Sequence, residues 1–220
     1  MTFFKICTTQ IVLISILAIG TFLFCVTGVW AAETEKTNTL IIYYSYTGNT
    51  RAVCEFLQKS LGADIREIKD LKNDPGSVTM GADKSMKKSN GMSPMGSMGT
   101  KLVMDTEINP ITVDLSAYSQ IILGSPIWMG SLSPAIKKFL ATNSLAGKKV
   151  VIITTTNASE KKDQRKKHKD SVEQAGGKVV ASYQLLAMEK FDDKKVMRSK
   201  EEIAQDSIQF VPKIKSLSTK

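Results

Sequence analysis

Residues 39–50 read TLIIYYSYTGNT. The apolar part, 39–46, is almost unbroken and rich in β-branched and aromatic side chains, a composition typical of a strand buried on both faces. A turn at 47–50 follows, and 51–61 then has the periodicity of a helix, with Gly62 as its stop. The apolar face of that helix holds Val53, Phe56, Leu57 and Leu61. This strand–turn–helix unit predicts an α/β fold with a parallel sheet.

The same alternation continues along the chain. Four further strands are predicted at 63–68, 118–124, 148–155 and 178–187. Helices are predicted at 134–140, 160–173 and 200–211, the last of them ended by Pro212. This pattern predicts a doubly wound five-stranded parallel sheet of order 2-1-3-4-5, with helices on both faces. In that order the ligand crevice lies at the carboxyl ends of strands 1, 3 and 4, so the turns after Tyr46, Gly124 and Thr155 are the informative ones.

The first part of the chain is predicted to be a targeting segment. No charged residue occurs between Lys5 and Glu33, and the small residue Ala31 suits cleavage by a signal peptidase. The apolar run is also long enough to span a bilayer, so the alternative is membrane association through residues 6–30. We therefore predict a signal peptide or membrane anchor at 1–31. Either alternative places the rest of the chain outside the cytoplasm, in the periplasm, in the extracellular space or at the membrane.

One domain is predicted after the leader. Residues 32–38 are a polar linker, and 39–216 have the length and apolar content of a single domain. An insertion at about 74–110, rich in Met, Gly, Ser and Lys, interrupts the alternation of strands and helices. Three of its methionines are spaced three apart, at Met92, Met95 and Met98. Thioether sulfurs at this spacing suit Cu(I), but methionine is more often packing material, so we expect no resident metal.

The chain is strongly basic, with a net charge of +9. This charge favours acidic redox partner proteins or an anionic membrane, and no recognition module for nucleic acid accompanies it. The densest basic stretch is KKDQRKKHK at 161–169, which is expected to be a solvated helix face with His168 at the surface. Cys54 is the only cysteine after the leader, so the domain has no internal disulfide, and we expect this side chain to face the core.

The first turn, Ser45-Tyr46-Thr47-Gly48-Asn49-Thr50, joins a strand to a helix. Helix N-termini present unpaired N–H groups and a partial positive charge, so they favour anions. Hydroxyl and amide side chains complete a cradle for a phosphate, and Gly48 lets the backbone approach it closely. The same residue types are also common as helix N-caps, so the loop by itself leaves both interpretations open.

Two of the turns resemble those of a known family. Ser45-x-Thr47-Gly48-x-Thr50 resembles the phosphate loop of flavodoxins, S/T-x-T-G-x-T. The stretch from Gly124 to Gly130, GSPIWMG, resembles the flavin-ring loop of short flavodoxin-like proteins, G-x-P-I-W-x-G. The resemblance covers about residues 39–215 and implies a flavodoxin-like domain with FMN as its cofactor.

The resemblance assigns roles to residues of both turns. It places the FMN phosphate on Ser45, Thr47, Asn49 and Thr50, with Tyr46 and Gly48 completing that loop. It places the flavin ring against Ser125, Pro126, Ile127, Trp128, Met129 and Gly130. Trp128 is expected on or beside the isoalloxazine, and a core position is its alternative. Gly130 is expected to permit a rotation of its peptide at the flavin edge.

The third turn, Thr154 to Ser159, departs from the family. Many flavodoxins carry an acidic residue and a tyrosine here, whereas this turn has hydroxyls and one amide. Thr155, Thr156 and Asn157 are expected to bond the pyrimidine edge of the flavin, which leaves one flavin face open. The resemblance implies electron transfer between redox partners. The open face favours the alternative, an FMN-dependent oxidoreductase that acts on NAD(P)H or a quinone.

Overall fold

A central parallel sheet organises the chain. The computed structural model describes residues 38–72, 106–192 and 194–218. The strands of the sheet are β1 (Thr39–Tyr43), β2 (Asp64–Glu67), β3 (Gln120–Trp128), the two-residue β4 (Ser131–Leu132), β5 (Lys149–Thr156) and β6 (Lys178–Leu186). The α-helices are α1 (Asn49–Leu61), α2 (Pro134–Thr142), α3 (Lys162–Gln174), α4 (Lys200–Gln205) and α5 (Val211–Ser218). A hairpin, β7 (Met188–Phe191) and β8 (Lys194–Met197), and 3₁₀ turns at Leu115–Ala117 and Asp206–Phe210 complete the described elements.

The strand order is β2-β1-β3-β5-β6, and all four of these pairings are parallel. The short β4 pairs antiparallel with the end of β3 and lies off this path. With β4 set aside, the order is the predicted 2-1-3-4-5, so the predicted fold class is confirmed. The register aligns Tyr43 with Gly124 and Gly124 with Ile153. The ends of β1, β3 and β5 therefore meet at one edge of the sheet, where the ligand crevice of such folds lies.

Both faces of the sheet are buried by helices, because alternate residues of each strand point to opposite sides. On one face, Leu40 and Ile42 belong to a core cluster with Phe139 of α2 and Val172 of α3. The opposite cluster holds Ile41, Tyr43, Val53 of α1, Ile203 of α4 and Ile214 of α5. Cys54 lies in this second cluster and is fully buried, as predicted. The unbroken apolar run of β1 is thus explained by burial from both sides.

The C-terminal region differs from the predicted single helix at 200–211. The structure has α4, a 3₁₀ turn and α5 in succession, and the prediction that Pro212 ends the helix is wrong. Pro212 is instead the second residue of α5, where a missing N–H costs no helical hydrogen bond. Ser207 is fully buried, whereas the neighbouring Ile208 is largely exposed.

The residues just before the predicted insertion pair with residues near its end. Asp70 and Ile108 form an antiparallel bridge, and the Leu71 N–H donates to the Glu107 carbonyl over 2.7 Å. The leader at 1–31, most of the linker and the Met-rich part of the insertion lie outside the described residues. Within the described ranges, no helix has the length and apolar character to cross a membrane.

Candidate functional site

The three predicted turns converge at the carboxyl edge of the sheet. The hydroxyls of Thr50, in the first turn, and Thr155, in the third, are 2.7 Å apart and buried. The ring of Tyr46, in the first turn, meets the ring of Trp128, in the second, with centroids 5.8 Å apart. Side chains far apart in sequence therefore join all three turns into one site, as the strand order predicts.

The first turn presents an open helix N-terminus. Gly48 precedes α1 with φ of 94°, a left-handed conformation that favours glycine. Its N–H donates to the Ser45 hydroxyl over 3.2 Å. No side chain of the described residues caps α1, and its first turn has no acidic residue. The N–H groups of this turn, with Thr47 exposed and Asn49 partly exposed beside them, form a set of neutral donors suited to a phosphate.

Thr50 and Thr155 have a structural role in addition to any role in binding. Both side chains are buried, and each hydroxyl is the other's partner. This contact ties the start of α1 to the end of β5 and so fixes the position of the first turn on the sheet. The predicted bonds of these two hydroxyls to FMN stay predictions.

The second turn is a tight hairpin between β3 and β4. Trp128 pairs with Ser131, so Met129 and Gly130 are the two central residues of the turn. Both have positive φ, 51° and 75°, which is the signature of a type I′ turn. Met129 is 68% exposed at the tip. The base of the hairpin is held by Ser125, whose buried hydroxyl accepts the N–H of Ser133 over 3.0 Å.

Trp128 is partly buried between two tyrosines. Its ring lies edge-to-face with Tyr44 and with Tyr46, at interplanar angles of 82° and 81°. Tyr44 is almost fully buried and belongs to the core. Trp128 therefore packs on the core and also lies at the junction of two of the turns, while its predicted place on or beside the flavin stays a prediction.

His168 lies under the hairpin, and the expectation that it is a surface residue is wrong. Its side chain is 2% exposed, and its Nε2 lies 3.2 Å from the carbonyl oxygen of Gly130. The physical reason is helical periodicity: His168 and Val172, four residues apart, form the buried face of α3. The other residues of the basic run remain exposed, apart from the partly exposed Gln164.

Two further side chains lie near this contact: Glu160 faces His168, and Gln164 lies beside Gly130. Glu160 is buried, and its Oε1 lies 3.7 Å from His168 Nδ1. Neither of these two atoms has a hydrogen-bond partner among the described residues. Gln164 accepts the Lys161 N–H with its side-chain oxygen over 2.8 Å, and its amide nitrogen occupies the space that a Cβ on Gly130 would need. Glycine is thus favoured at position 130 by its φ of 75°, and a larger residue there would also require the flexible Gln164 side chain to move.

The third turn has no aromatic side chain. The Thr156 hydroxyl bonds locally to Ala158, accepting its N–H over 3.3 Å and donating to its carbonyl over 3.1 Å. Residues 157–159 are exposed, Asn157 included. This part of the site is therefore polar and open, and the predicted bonds of Thr156 and Asn157 to the flavin stay predictions.

Lys200 lies beside the first turn, a position that the sequence did not predict. A Cβ placed on Gly48 would lie 2.7 Å from Lys200 Nζ and 3.0 Å from its Cε, so this side chain lies over the first turn. The sequence carries no signal for this contact, because it depends on how α4 packs against α1. Gln164 and His168 were also missed, although their spacing of four residues, continued by Val172, indicates a shared helix face.

Three solved structures are similar to this chain. A flavoprotein from Bacteroides uniformis is 20% identical with a TM-score of 0.50, and the match covers 78% of this chain and 97% of that chain. One from Bacteroides eggerthii is 19% identical with a TM-score of 0.50, over 80% and 98%. A Lactobacillus acidophilus flavoprotein solved in complex with FMN is 19% identical with a TM-score of 0.49, over 67% and 93%. The two Bacteroides structures support the flavodoxin-like fold.

The family is established by the sequence. None of the curated proteins matches this chain. A family model described as Flavodoxin, however, matches residues 38–193, which is more than half of the chain and includes all three turns. The chain therefore belongs to the flavodoxin family, whose cofactor is FMN, as its two turn motifs predicted.

Proposed function

We propose that this flavodoxin holds FMN in the crevice formed by the three turns and transfers electrons between redox partner proteins on the outer side of the membrane. The observation that supports this most is the convergence of an uncapped helix N-terminus with the Tyr46–Trp128 ring pair at one sheet edge. The first suits a phosphate, and the second suits a flat aromatic ring beside it.

The donor set fits FMN. The first-turn N–H groups, with Thr47 and Asn49, would bind the phosphate, while Trp128 and the exposed hairpin tip at Met129 would lie beside the ring. When bound, FMN supplies the redox chemistry, and the protein supplies binding, orientation and tuning of the potential. In a carrier, one electron enters from a reduced donor protein and one leaves to an oxidised acceptor protein.

The charge of α3 supports acidic partners. Lys162, Arg165, Lys166 and Lys167 are exposed on this helix. The same helix contacts the hairpin through the bond between His168 and Gly130. The exposed basic residues therefore lie on the helix that contacts the hairpin expected to carry the flavin edge, and they would steer an acidic partner during encounter.

This charge effect can be tested with small redox reagents in place of the partner. Reduced FMN in the full chain would be oxidised by ferricyanide, an anion, and by hexaammineruthenium(III), a cation. Lys167→Glu should slow the anion and speed the cation, more strongly at low salt. Lys213→Glu on α5, which packs on the other sheet face, is the matched control. Equal effects of the two variants would argue against docking at α3.

Export is proposed from the leader at 1–31. A C-terminal fusion to alkaline phosphatase tests it, because this reporter needs disulfides that form outside the cytoplasm. The full chain should give an active reporter, and the chain without residues 1–31 an inactive one. An inactive full-length fusion that is present in normal amount would contradict export.

A second candidate is an FMN-dependent oxidoreductase that oxidises NAD(P)H and reduces a quinone. The observation that favours it is the exposed third turn, residues 157–159, which has no ring to cover a flavin face. A stacked nicotinamide or quinone would use that open face for transfer of two electrons.

One set of measurements separates the two functions. The full chain is loaded with FMN, both one-electron reduction potentials are measured, and NADPH oxidation is followed with a soluble quinone. Well-separated potentials without turnover support the carrier, whereas rapid two-electron turnover supports the enzyme. Failure of the chain to bind FMN would refute both.

A further inference from the structure

We propose that Lys200 binds the phosphate of FMN and sets a preference for FMN over riboflavin. This inference rests on the FMN binding proposed above. The first turn itself supplies no positive side chain, since residues Ser45 to Thr50 include no lysine or arginine. The positive charge comes instead from a helix near the C-terminus of the chain.

Packing of α4 on α1 places the Lys200 side chain beside the first turn. Ile203 of α4 and Val53 of α1 lie in the same buried cluster, so the two helices are held together. Lys200 is the first residue of α4, directly after Ser199, whose hydroxyl accepts the Glu202 N–H over 3.2 Å and so fixes the start of the helix. From there the Lys200 side chain reaches over Gly48, which leaves room for it because glycine has no Cβ.

The positive charge of Lys200 lies beside a second positive group. Its ammonium lies at the N-terminus of α1, the positive end of the helix dipole, and the first turn of α1 has no acidic residue. Among the described residues, Lys200 forms no ion pair. The neighbouring Glu202 carboxylate accepts the N–H and the hydroxyl of Ser199, at 2.8 and 2.9 Å. Arg198 pairs with Asp206 over 2.7 Å.

A phosphate ester is the ligand that this arrangement suits. Its negative charge balances both the ammonium and the helix dipole, and its oxygens accept from the N–H groups of the first turn. Riboflavin has an uncharged hydroxyl at the corresponding end, so it gains nothing from the ammonium. Lys200 is therefore inferred to distinguish the two flavins by charge, while the rest of the site binds the ring that they share.

The test compares FMN and riboflavin binding to the full chain by quenching of flavin fluorescence. Lys200→Met should weaken FMN binding by about five- to twentyfold, between the values of an exposed ion pair and a charged hydrogen bond. Riboflavin binding should be unchanged. Lys200→Arg should restore most of the affinity for FMN. Lys213→Met is the control, because Lys213 is also exposed but lies on α5.

Salt dependence gives a second readout. FMN affinity of the wild type should fall as ionic strength rises, and that of Lys200→Met should fall less. Equal losses for FMN and riboflavin, or no loss for either, would overturn the role of Lys200 and leave FMN binding intact. If the wild type binds neither flavin, the proposed function fails together with this inference.

Discussion

His168 Nε2 lies 3.2 Å from the carbonyl oxygen of Gly130. A carbonyl only accepts hydrogen bonds, so the imidazole donates from Nε2, and its Nδ1 faces Glu160. A buried side chain of α3 thus holds the hairpin tip from below. The two central residues of that hairpin, Met129 and Gly130, are both in the left-handed region, and a fixed anchor helps to maintain this conformation.

Replacement of this anchor should destabilise the fold. His168→Leu would leave the Gly130 carbonyl without its donor and Glu160 without its neighbour, which should lower the free energy of unfolding by about 1–3 kcal/mol. His168→Gln, which retains a side-chain N–H donor, should lose less. Urea unfolding of the full chain measures both variants. Lys169→Gln, an exposed change on the same helix, is the control, and a loss for His168→Leu no greater than that of the control would disprove the role of the anchor.

The bond between Thr50 and Thr155 should behave as a coupled pair. Thr50→Val or Thr155→Val alone leaves one buried hydroxyl unpaired, at a cost of about 1–3 kcal/mol in the free energy of unfolding. The double variant leaves no hydroxyl there, so its loss should be smaller than the sum of the single losses by about 1 kcal/mol. A double-mutant cycle in urea measures this coupling, and strict additivity would show that the 2.7 Å contact contributes nothing.

Replacement of Gly124 by a larger residue should destabilise the fold. A Cβ there would lie 2.5 Å from Cys54 Sγ and 2.8 Å from Tyr43 Cβ, so Gly124→Ala should destabilise the fold by about 1–3 kcal/mol. Cys54→Ala in the same chain should relieve only part of the strain, because the contact with Tyr43 remains. Thermal and urea unfolding of the single and double variants test this. Full rescue by Cys54→Ala would show that Tyr43 can move away.

Alkaline pH should destabilise the protein through Cys54. Burial, followed by the nearby charge of Glu55, raises the pKa of this thiol in the folded state. The unfolded thiol ionises at about 8.5, so stability is full below that pH and is lost above it at up to about 1.4 kcal/mol per pH unit. Burial also raises the pKa of Tyr43, which should add a further loss above about pH 10.

The matched variant for this pH effect is Cys54→Ala. It should lower stability at every pH because it leaves a cavity, yet show a smaller slope of unfolding free energy between about pH 8.5 and pH 10. Urea unfolding at a series of pH values gives the slopes. Identical slopes for the variant and the wild type would mean that another group causes the alkaline loss.

The sheet could be predicted because short, local stretches of sequence identify its strands. The apolar run of β1 and the motifs after β1 and β3 identify the buried strands and their turns, and parallel order then follows from the alternation with helices. The burial of His168 was not predicted, because its sequence neighbours Lys167 and Lys169 are charged and suggest an exposed segment. Which residues of the helix face the core depends on how the helix is rotated against the sheet. Lys200 was missed for a different reason. Its proximity to Gly48 results from tertiary packing, which no local sequence pattern predicts.

The bridge between Asp70 and Ile108 also has a practical consequence. Because Asp70 and Ile108 are paired, the segment between them begins and ends at adjacent points, which makes it a suitable position for grafting. A reporter protein whose own termini are close together could replace it with little strain on β2, since the entropy of closing a loop rises only slowly with its length.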